Sequence, residues 1–529
     1  MLDKKKIKEI LETRFEKDIH TKVSEIPLPS SLKDNYKAAS RIKTAIENNE
    51  KIAIVGDYDV DGIVSSVILA DFFDLLGVDF LVKIPNRFSD GYGLNPKILE
   101  EISGVKLIIT VDNGISAVEA AEICKKKGID LIITDHHMPP PPPVLPKAYA
   151  IINPKQSDCP FPNVEICGAE VAWYLVGALK DVCGVEYDMS NDLDLLVIAI
   201  IADMMELRDM NRVLVKLGIK KLNSSKRPAF FAIKNLYSKD KFEFDDISFL
   251  IAPLINSTGR MDDASLSYKF LRAKNYKNAK YFLDKIVDLN ESRKDEEKTL
   301  YESSKALVSQ DDEIIVAWGK NWHEGVIGIV ASRLCKHYKK PAIVFSVDEH
   351  RAKGSARSVN KFDILKLIAS QKELLLSFGG HKGAAGIVIE SKNLPKFKEA
   401  INSSCFLQDL DGISPYADEI LGEIDIKELD LELLDILEFF EPYGQKNPKP
   451  IFEIKNAIVS NIRMIGKEKN HIKITIEKNN VYKEALYFNY DFMPKEGDRV
   501  DLIASVIKNS FRNTITPEFV IKELCLAKS

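Results

Sequence analysis

The chain lacks a long apolar run, a paired-cysteine motif and a strong charge of either sign. Its longest uninterrupted apolar stretch runs only from Leu195 to Ala202, far short of the roughly 20 residues that span a bilayer. The N-terminal MLDKKKIKEILETRF has lysines but no apolar segment behind them, so no secretory signal is expected. Seven cysteines are scattered from Cys124 to Cys525 without a CxxC. That spacing offers neither a disulfide framework nor a zinc knuckle. What remains is 529 residues, 45% hydrophobic and 29% charged, a balance that allows about three cored domains and argues against disorder. The expectation is a reduced, cytoplasmic, multidomain protein with no membrane contact.

The net charge of −5 hides a local asymmetry. Residues 416–445 hold ten acidic side chains against the single Lys427, while 446–529 hold fifteen Lys/Arg against ten Asp/Glu. Only the second stretch favours phosphates. It also carries eight aromatic residues, among them Tyr482, Tyr487, Phe488, Tyr490, Phe492 and Phe511. Most of these rings are expected to fill a core. A few beside Lys467, Lys469, Lys508 or Arg512 would suffice to stack single-stranded bases.

From 50 to 210, short apolar runs alternate with helical stretches. KIAIVGD, FLVKIP, VKLIITVDNG, DLIITDHH and AIINP read as buried strands that end in polar residues. SSVILADFFDLLG and SAVEAAEICKKKG between them have helical spacing. This pattern predicts a doubly wound parallel α/β sheet, whose ligand site lies beyond the carboxyl ends of its strands. Five prolines at 139–143 predict an extended loop. A charged helix is expected to connect lobes over 264–311, and a second α/β unit follows over 312–405. The segment 416–529 reads as an acidic helix and short strands of an OB-type β-barrel. Residues 1–49 read as an N-terminal helical segment, and 50–263 as the first α/β domain.

The chemistry concentrates at the strand ends. Gly56-Asp57-Tyr58-Asp59-Val60-Asp61-Gly62 opens like an EF-hand loop, but the twelfth position is Ile68 where a bidentate glutamate is required. A strand also precedes it instead of a helix. An acidic turn capping a helix would explain one of these aspartates, not three in alternation. Asp112 ends LIITVDNG, Asp135-His136-His137 end LIITDHH, and Asp203 interrupts the apolar helix LLVIAIIADMMEL. Each has a bland reading alone. Together they place several hard oxygens and one or two imidazoles at one sheet edge, an inventory suited to a pair of Mn²⁺ or Mg²⁺ ions. Two such ions form a clamp for in-line attack at phosphorus.

DYDVDG, VDNG, DHH and the aspartate of IIADMMEL, in that order, resemble the four motifs of the DHH phosphoesterase superfamily. IPNRFSDGYGL, INPKQSDCPFP, PLINSTGRMDDAS, WHEGVIGIVASRL, GSARS and FGGHKGAAG extend the likeness to its RecJ family of single-strand-specific exonucleases. The resemblance runs from about residue 50 to the end, with NSTGR in place of the commoner NAAGR and an unusual proline run after DHH. It implies a DHH domain, a DHH-associated substrate-binding domain and a C-terminal OB barrel. By the same resemblance Asp59, Asp61, Asp112, His136 and Asp203 are metal ligands, with Asp112 bridging both ions and Asp57 behind them. His137 then contacts the scissile phosphate, so that His137 and Asp112 carry the catalysis. Arg87, Asn256 and Arg260 surround the phosphate backbone, and Ser355, Arg357 and a turn at Gly379-Gly380-His381 hold the substrate end.

The function so implied is two-metal 5′→3′ hydrolysis of single-stranded DNA to 5′-mononucleotides, in repair and recombination. The partners implied are a helicase and a single-strand-binding protein, and the chain itself is expected to be a monomer. The alternatives are a phosphodiesterase of short oligonucleotides or cyclic dinucleotides, and a non-catalytic DHH scaffold of a replication complex. The 120 or so residues beyond the two lobes speak against the first, and the retained ligands against the second.

Overall fold

A computed structural model describes residues 1–527 apart from 141–143, 310, 360–361, 405–419, 467–468 and 512–513. Part of the proline run, Lys467 and Arg512 therefore lie outside the described residues, as does the Phe511 side chain. The chain divides into two compact units. The larger holds residues 27–205 and 214–415, and the smaller holds 1–26, 206–213 and 416–529.

In the larger unit, β1 (Ile52–Val55), β2 (Phe80–Lys83), β3 (Leu107–Val111), β4 (Asp130–Thr134) and β5 (Ala150–Ile152) form one sheet in the order β2-β1-β3-β4-β5. Every neighbouring pair is parallel. β1 and β3 are buried along their whole length, which explains why both read as unbroken apolar runs. The helices Val60–Leu75 and Gly168–Cys183 pack against each other and are buried over most of their length. Strand order reverses between β1 and β3, and in such sheets ligands bind where it does so. Asp57–Asp61 follow β1, and Asp112 follows β3 directly.

One expected element ends early. The apolar helix runs from Leu193 to Ala202, and Asp203 is its C-cap, donating its N–H to the Ala199 carbonyl at 2.9 Å. Met204 then turns left-handed, with φ +54°. Asp203 thus leaves the helix where its carboxylate can face the acidic cluster.

Beyond the helix Ala252–Met261 comes a thirty-residue helix, Tyr276–Lys305. Ala279, Leu283, Ile286, Asn290, Leu300, Tyr301 and Ser304 form its buried stripe, while most of the charged remainder is solvated apart from the largely buried Arg293–Glu297 pair. A second sheet follows: β6 (Ile315–Lys320), β7 (Ala342–Val347), β8 (Arg351–Arg357), β9 (Leu375–His381) and β10 (Ala384–Glu390), in the order β6-β7-β8-β10-β9. Gly379, Gly380 and His381 are strand residues here and not a turn. The turn is Lys382-Gly383, and Gly380 pairs with Ala385. At Gly380 the glycine has a steric cause. Gly380 has φ +145°, and a Cβ there would lie 2.7 Å from the Ala385 Cα.

In the smaller unit, β11 (Ile420–Glu423), β12 (Ile451–Ile465), β13 (His471–Lys478), β14 (Val481–Phe488), β15 (Arg499–Phe511) and β16 (Thr514–Leu526) form a six-stranded sheet. The β12–β15 pairing closes its last five strands into a barrel. Phe452, Tyr487 and Phe519 fill the core, and Tyr490 and Phe492 pack on it. Tyr482 and Phe488 are exposed. Residues 1–26 belong to this unit, whereas the helix Asn35–Glu47 belongs to the larger one. Ile7 and Leu11, from the helix Lys4–Thr13, are buried in the barrel's own core. The Leu2 N–H donates to the Glu423 carbonyl at 2.6 Å. Lys4 pairs with Asp430 and Glu432, flanking the start of the acidic helix Leu431–Phe439. Part of the negative charge of 416–445 is thereby matched by the lysine-rich start of the chain.

Candidate metal centre and substrate groove

The loop after β1 is shaped by its glycines and by the helix it opens. Asp59 is the N-cap of Val60–Leu75, its Oδ1 accepting the Gly62 N–H at 3.1 Å. A Cβ on Gly62 would stand 2.5 Å from the Asp57 nitrogen, so only glycine lets the acidic loop fold this tightly. Asp61 projects from the first turn and accepts the Gly168 and Ala169 N–H groups at 2.6 and 2.8 Å. The helix N-terminus of Gly168–Cys183 thus fixes this carboxylate. Asp112 has φ +61°, a left-handed conformation that aspartate tolerates better than most residues. Its neighbour Asn113 donates to the Val55 and Val111 carbonyls at 3.0 and 2.9 Å and ties the ends of β1 and β3 together.

These elements bring together all five residues that the sequence singled out as ligands. His136 Nε2 lies 3.3 Å from Asp112 Oδ1, 3.7 Å from Asp61 Oδ2 and 3.6 Å from Asp203 Oδ2. Asp61, His136 and Asp203 form one group whose ligand atoms lie within 4.8 Å of one another, and Asp57, Asp59 and Asp112 form a second. Asp112 adjoins both, and Asp57, which the sequence placed behind the ligands, is within reach of an ion; Asp112, His136 and His137 form a third such group, so His137, which the sequence set on the phosphate, is within reach of one as well.

The donor chemistry fits divalent cations. Asp112 Oδ1, Asp203 Oδ2 and His136 Nδ1 are buried with no hydrogen-bond partner among the described residues. Burial, with repulsion among the aspartates, raises the carboxyls of Asp57, Asp59 and Asp112 and pushes Asp203 up to about 8. Burial holds His136 below the ordinary histidine range, which favours the neutral imidazole that ligates metals. Hard oxygens outnumber nitrogens, as Mn²⁺ and Mg²⁺ prefer.

His137 differs from His136. Burial opposes its charge, but Asp135 Oδ1 accepts from its Nδ1 at 2.8 Å and raises it to about 9. Asp135 also accepts the His136, His137 and Ile115 N–H groups. Its orienting role was not evident from the sequence, where it reads simply as the first residue of DHH. Tyr58 and Tyr92 were missed as well. Tyr92 stands edge-on to both Tyr58 and His137, with centroids 6.1 and 6.3 Å apart, and Arg87 lies over the Tyr58 ring at 4.3 Å. Alternation with the aspartates was the available signal for Tyr58.

The basic residues lie beyond this cluster. Arg260 ends the helix Ala252–Met261 and donates from Nη1 to the Gly325 carbonyl at 3.3 Å. Burial, helped by Arg87 and Arg357, lowers it to about 10. Arg357 Nη1 donates to Ser355 Oγ at 2.9 Å and to the Ala356 carbonyl at 2.8 Å, and burial lowers this guanidinium too. Neither arginine has a carboxylate partner among the described residues, an arrangement that suits a phosphate. Asn256 caps instead, its Oδ1 accepting the Val60 N–H at 3.2 Å.

Sheet register places the remaining residues. Arg357, Ala384 and His381 form one row across β8, β10 and β9, and Ser355, Gly386 and Gly379, two residues along, form the next row on the same face. A Cβ on Gly379 would meet nothing within 4 Å, so the sheet has a bare patch in the Ser355 row.

Comparison with known proteins follows the same divisions. The chain matches the DHH family N-terminal domain over residues 51–200, the DHHA1 domain over 311–405 and the RecJ OB domain over 420–523. It is 33% identical to the single-stranded-DNA-specific exonuclease RecJ of Haemophilus influenzae, covering 87% of this chain and 84% of the relative. To the Bacillus subtilis protein of that name it is also 33% identical, covering 96% of this chain but 66% of the relative's length. The fold is that of RecJ from Thermus thermophilus in complex with Mn²⁺, with a TM-score of 0.85 at 24% identity, covering 99% of this chain and 76% of that one. A further RecJ structure, bound to manganese, has a TM-score of 0.62 at 27% identity, covering 75% and 98%. Among the described residues no helix is long and apolar enough to cross a membrane. Ordered motifs, a shared three-part architecture and this identity over most of both chains make the protein a member of the RecJ family.

Proposed function

We propose that the chain is a two-metal 5′→3′ exonuclease that degrades single-stranded DNA to 5′-mononucleotides, in repair and recombination. One observation carries the reading: a buried cluster of carboxylates with unsatisfied oxygens occupies the same compact unit as buried arginines without acidic partners. Asp59, Asp61, Asp112, His136 and Asp203, with Asp57 in reach, would hold two Mn²⁺ or Mg²⁺ ions. Such ions supply Lewis-acid charge and lower the pKa of water at the site.

The chain's own groups do the rest. His137, kept protonated by Asp135, presents its second ring N–H to a phosphoryl oxygen. Arg87 and Arg260 neutralise the strand around the scissile bond, and Asn256 steadies the loop that bears Asp59. Ser355, Arg357 and the Gly379–His381 strand end receive the terminal phosphate. The barrel binds further single-stranded bases. A helicase that exposes single strands and a single-strand-binding protein are the partners this reading implies, with the enzyme acting as a cytoplasmic monomer.

Incubating the protein with Mn²⁺ and end-labelled single- and double-stranded oligonucleotides tests the reading directly. Mononucleotides should accumulate from the 5′ end of single strands. Internal cuts, or activity confined to dinucleotides, would overturn it. Within this scheme His137→Ala should slow turnover and leave Mn²⁺ affinity nearly unchanged, whereas His136→Ala should weaken that affinity. Calorimetric titration separates them, and equal losses would mean the two adjacent roles are wrongly divided. Arg357→Ala should cost about ten- to a hundredfold in affinity for 5′-phosphorylated strands, the worth of one charge-assisted contact. The 5′-hydroxyl strand should suffer far less. Equal discrimination in variant and wild type would place end recognition elsewhere.

A further inference from the structure

A series of close contacts runs from the acidic cluster to Arg357, and a glycine stands at every step. Gly62 abuts the Asp57 backbone. A Cβ on Gly259 would fall closer than 3.0 Å to the Tyr58 carbonyl oxygen, and one on Gly325 closer than 3.0 Å to the Arg260 carbonyl oxygen. A Cβ on Gly328 would stand 3.0 Å from both Arg357 Nη2 and Ser355 Oγ. Tyr58 adjoins Asp57 and Asp59, Gly259 adjoins Arg260, and Gly325 leads into the helix Ile327–Tyr338. The path therefore crosses from the first sheet's loop, through the end of the helix Ala252–Met261, to the second sheet without a gap.

The middle steps bring backbone against backbone. No flexible side chain intervenes that could yield, so the contacts transmit position and do not merely fill space. Arg260 reinforces one of them by donating to the Gly325 carbonyl. The only covalent route between these segments passes through the long helix Tyr276–Lys305, which by itself leaves the spacing of the two sheets to packing.

We infer that this glycine stack is a spacer that fixes the reach between the metal cluster and the Ser355–Arg357 end grip. Gly259, Gly325 and Gly328 are positioning residues that act through the segments they hold together. A strand gripped at its end then presents one phosphodiester to the cluster. Substrates too small to use the grip are indifferent to the spacing. The inference rests on the exonuclease reading, and one comparison separates the two.

Gly325→Ala must move the Arg260 segment by roughly 1 Å to admit a methyl, and a shift of that size in a reacting geometry costs up to about a hundredfold. The experiment compares Mn²⁺-dependent removal of nucleotides from a 5′-phosphorylated single strand with hydrolysis of bis(4-nitrophenyl) phosphate. Gly325→Ala should slow the first about ten- to a hundredfold more than the second, which also slows because Arg260 flanks the scissile phosphate. Gly328→Ala, whose methyl meets only side-chain ends, keeps the comparison available if the first variant misfolds, and should show the same split. Variants that degrade strands at the wild-type rate overturn the inference. So do variants in which both rates fall by the same factor, since the stack would then shape the metal site itself. A wild type that hydrolyses the small diester but spares strands overturns the exonuclease reading, and the inference with it.

Discussion

Replacing Asp112 with asparagine should lower strand hydrolysis by more than about 10³-fold while making the metal-free protein more stable. The first effect follows from its place between the two ligand groups, because losing its charge weakens both ion sites at once. The second follows from electrostatics. Burial, and repulsion from Asp61, Asp59, Asp57 and Asp203, raise the Asp112 carboxyl in the folded state. A carboxyl raised on folding binds more protons folded than unfolded, so its contribution to stability is present at acid pH and declines as pH rises through the folded value. With Asp203 near 8, metal-free wild type should lose stability from about pH 4 to pH 8, and the variant should lose less. Asparagine is the right replacement because it accepts the left-handed backbone at φ +61° and the tight fit against Gly168. Thermal unfolding in a chelator at both ends of that range, beside turnover in Mn²⁺, checks both halves. Near-normal turnover would end the two-metal reading, and a fall in melting temperature without metal would make Asp112 a structural residue.

Deleting residues 416–529 should weaken binding of long single strands about ten- to a hundredfold, the worth of one or two stacked bases with their phosphate contacts. Tyr482 and Phe488 are exposed rings of the barrel, among the described residues, that can serve this stacking. Strands of a few nucleotides, which the metal-bearing unit can engage alone, should be affected much less. Raising salt should narrow the difference between intact and shortened protein. The simple deletion has a second expected effect, aggregation, because Ile7 and Leu11 would lose the core that buries them. Removing residues 1–26 together with 416–529 should restore solubility and permit the measurement. If the doubly shortened protein binds long and short strands as the intact one does, the barrel is structural and tracks nothing.

Much of this architecture is legible in the sequence where one physical signal dominates. β1, β3 and β4 are apolar runs closed by aspartates, and the parallel sheet with its acidic edge follows from them. The barrel is announced by short alternating strands such as His471–Lys478. Legibility fails where the outcome depends on contacts between distant segments. Nothing local tells that Ile7 belongs with Phe452, more than 400 residues away, or that Gly379–His381 extends a strand where glycines suggest a turn. The left-handed Met204 that ends the apolar helix before Asp203 is equally unmarked. Within the site, residue type and order single out the five candidate ligands that the fold then brings together. Roles set by a hydrogen bond stay hidden: Asp135 holding His137, and Asn256 capping the Asp59 helix.

The docking of residues 1–26 into the barrel's core also bears on how the chain is made. During synthesis this segment leaves the ribosome well ahead of its partners, which from Ile424 onward arrive nearly 400 residues later. At about 5–20 residues per second that delay is roughly 20–80 s. Through that interval the amphipathic helix around Ile7 and Leu11 has no native surface to cover, while the metal-bearing unit can already close behind it. Residues 1–26 are therefore made early in the chain yet are among the last parts to reach their final place.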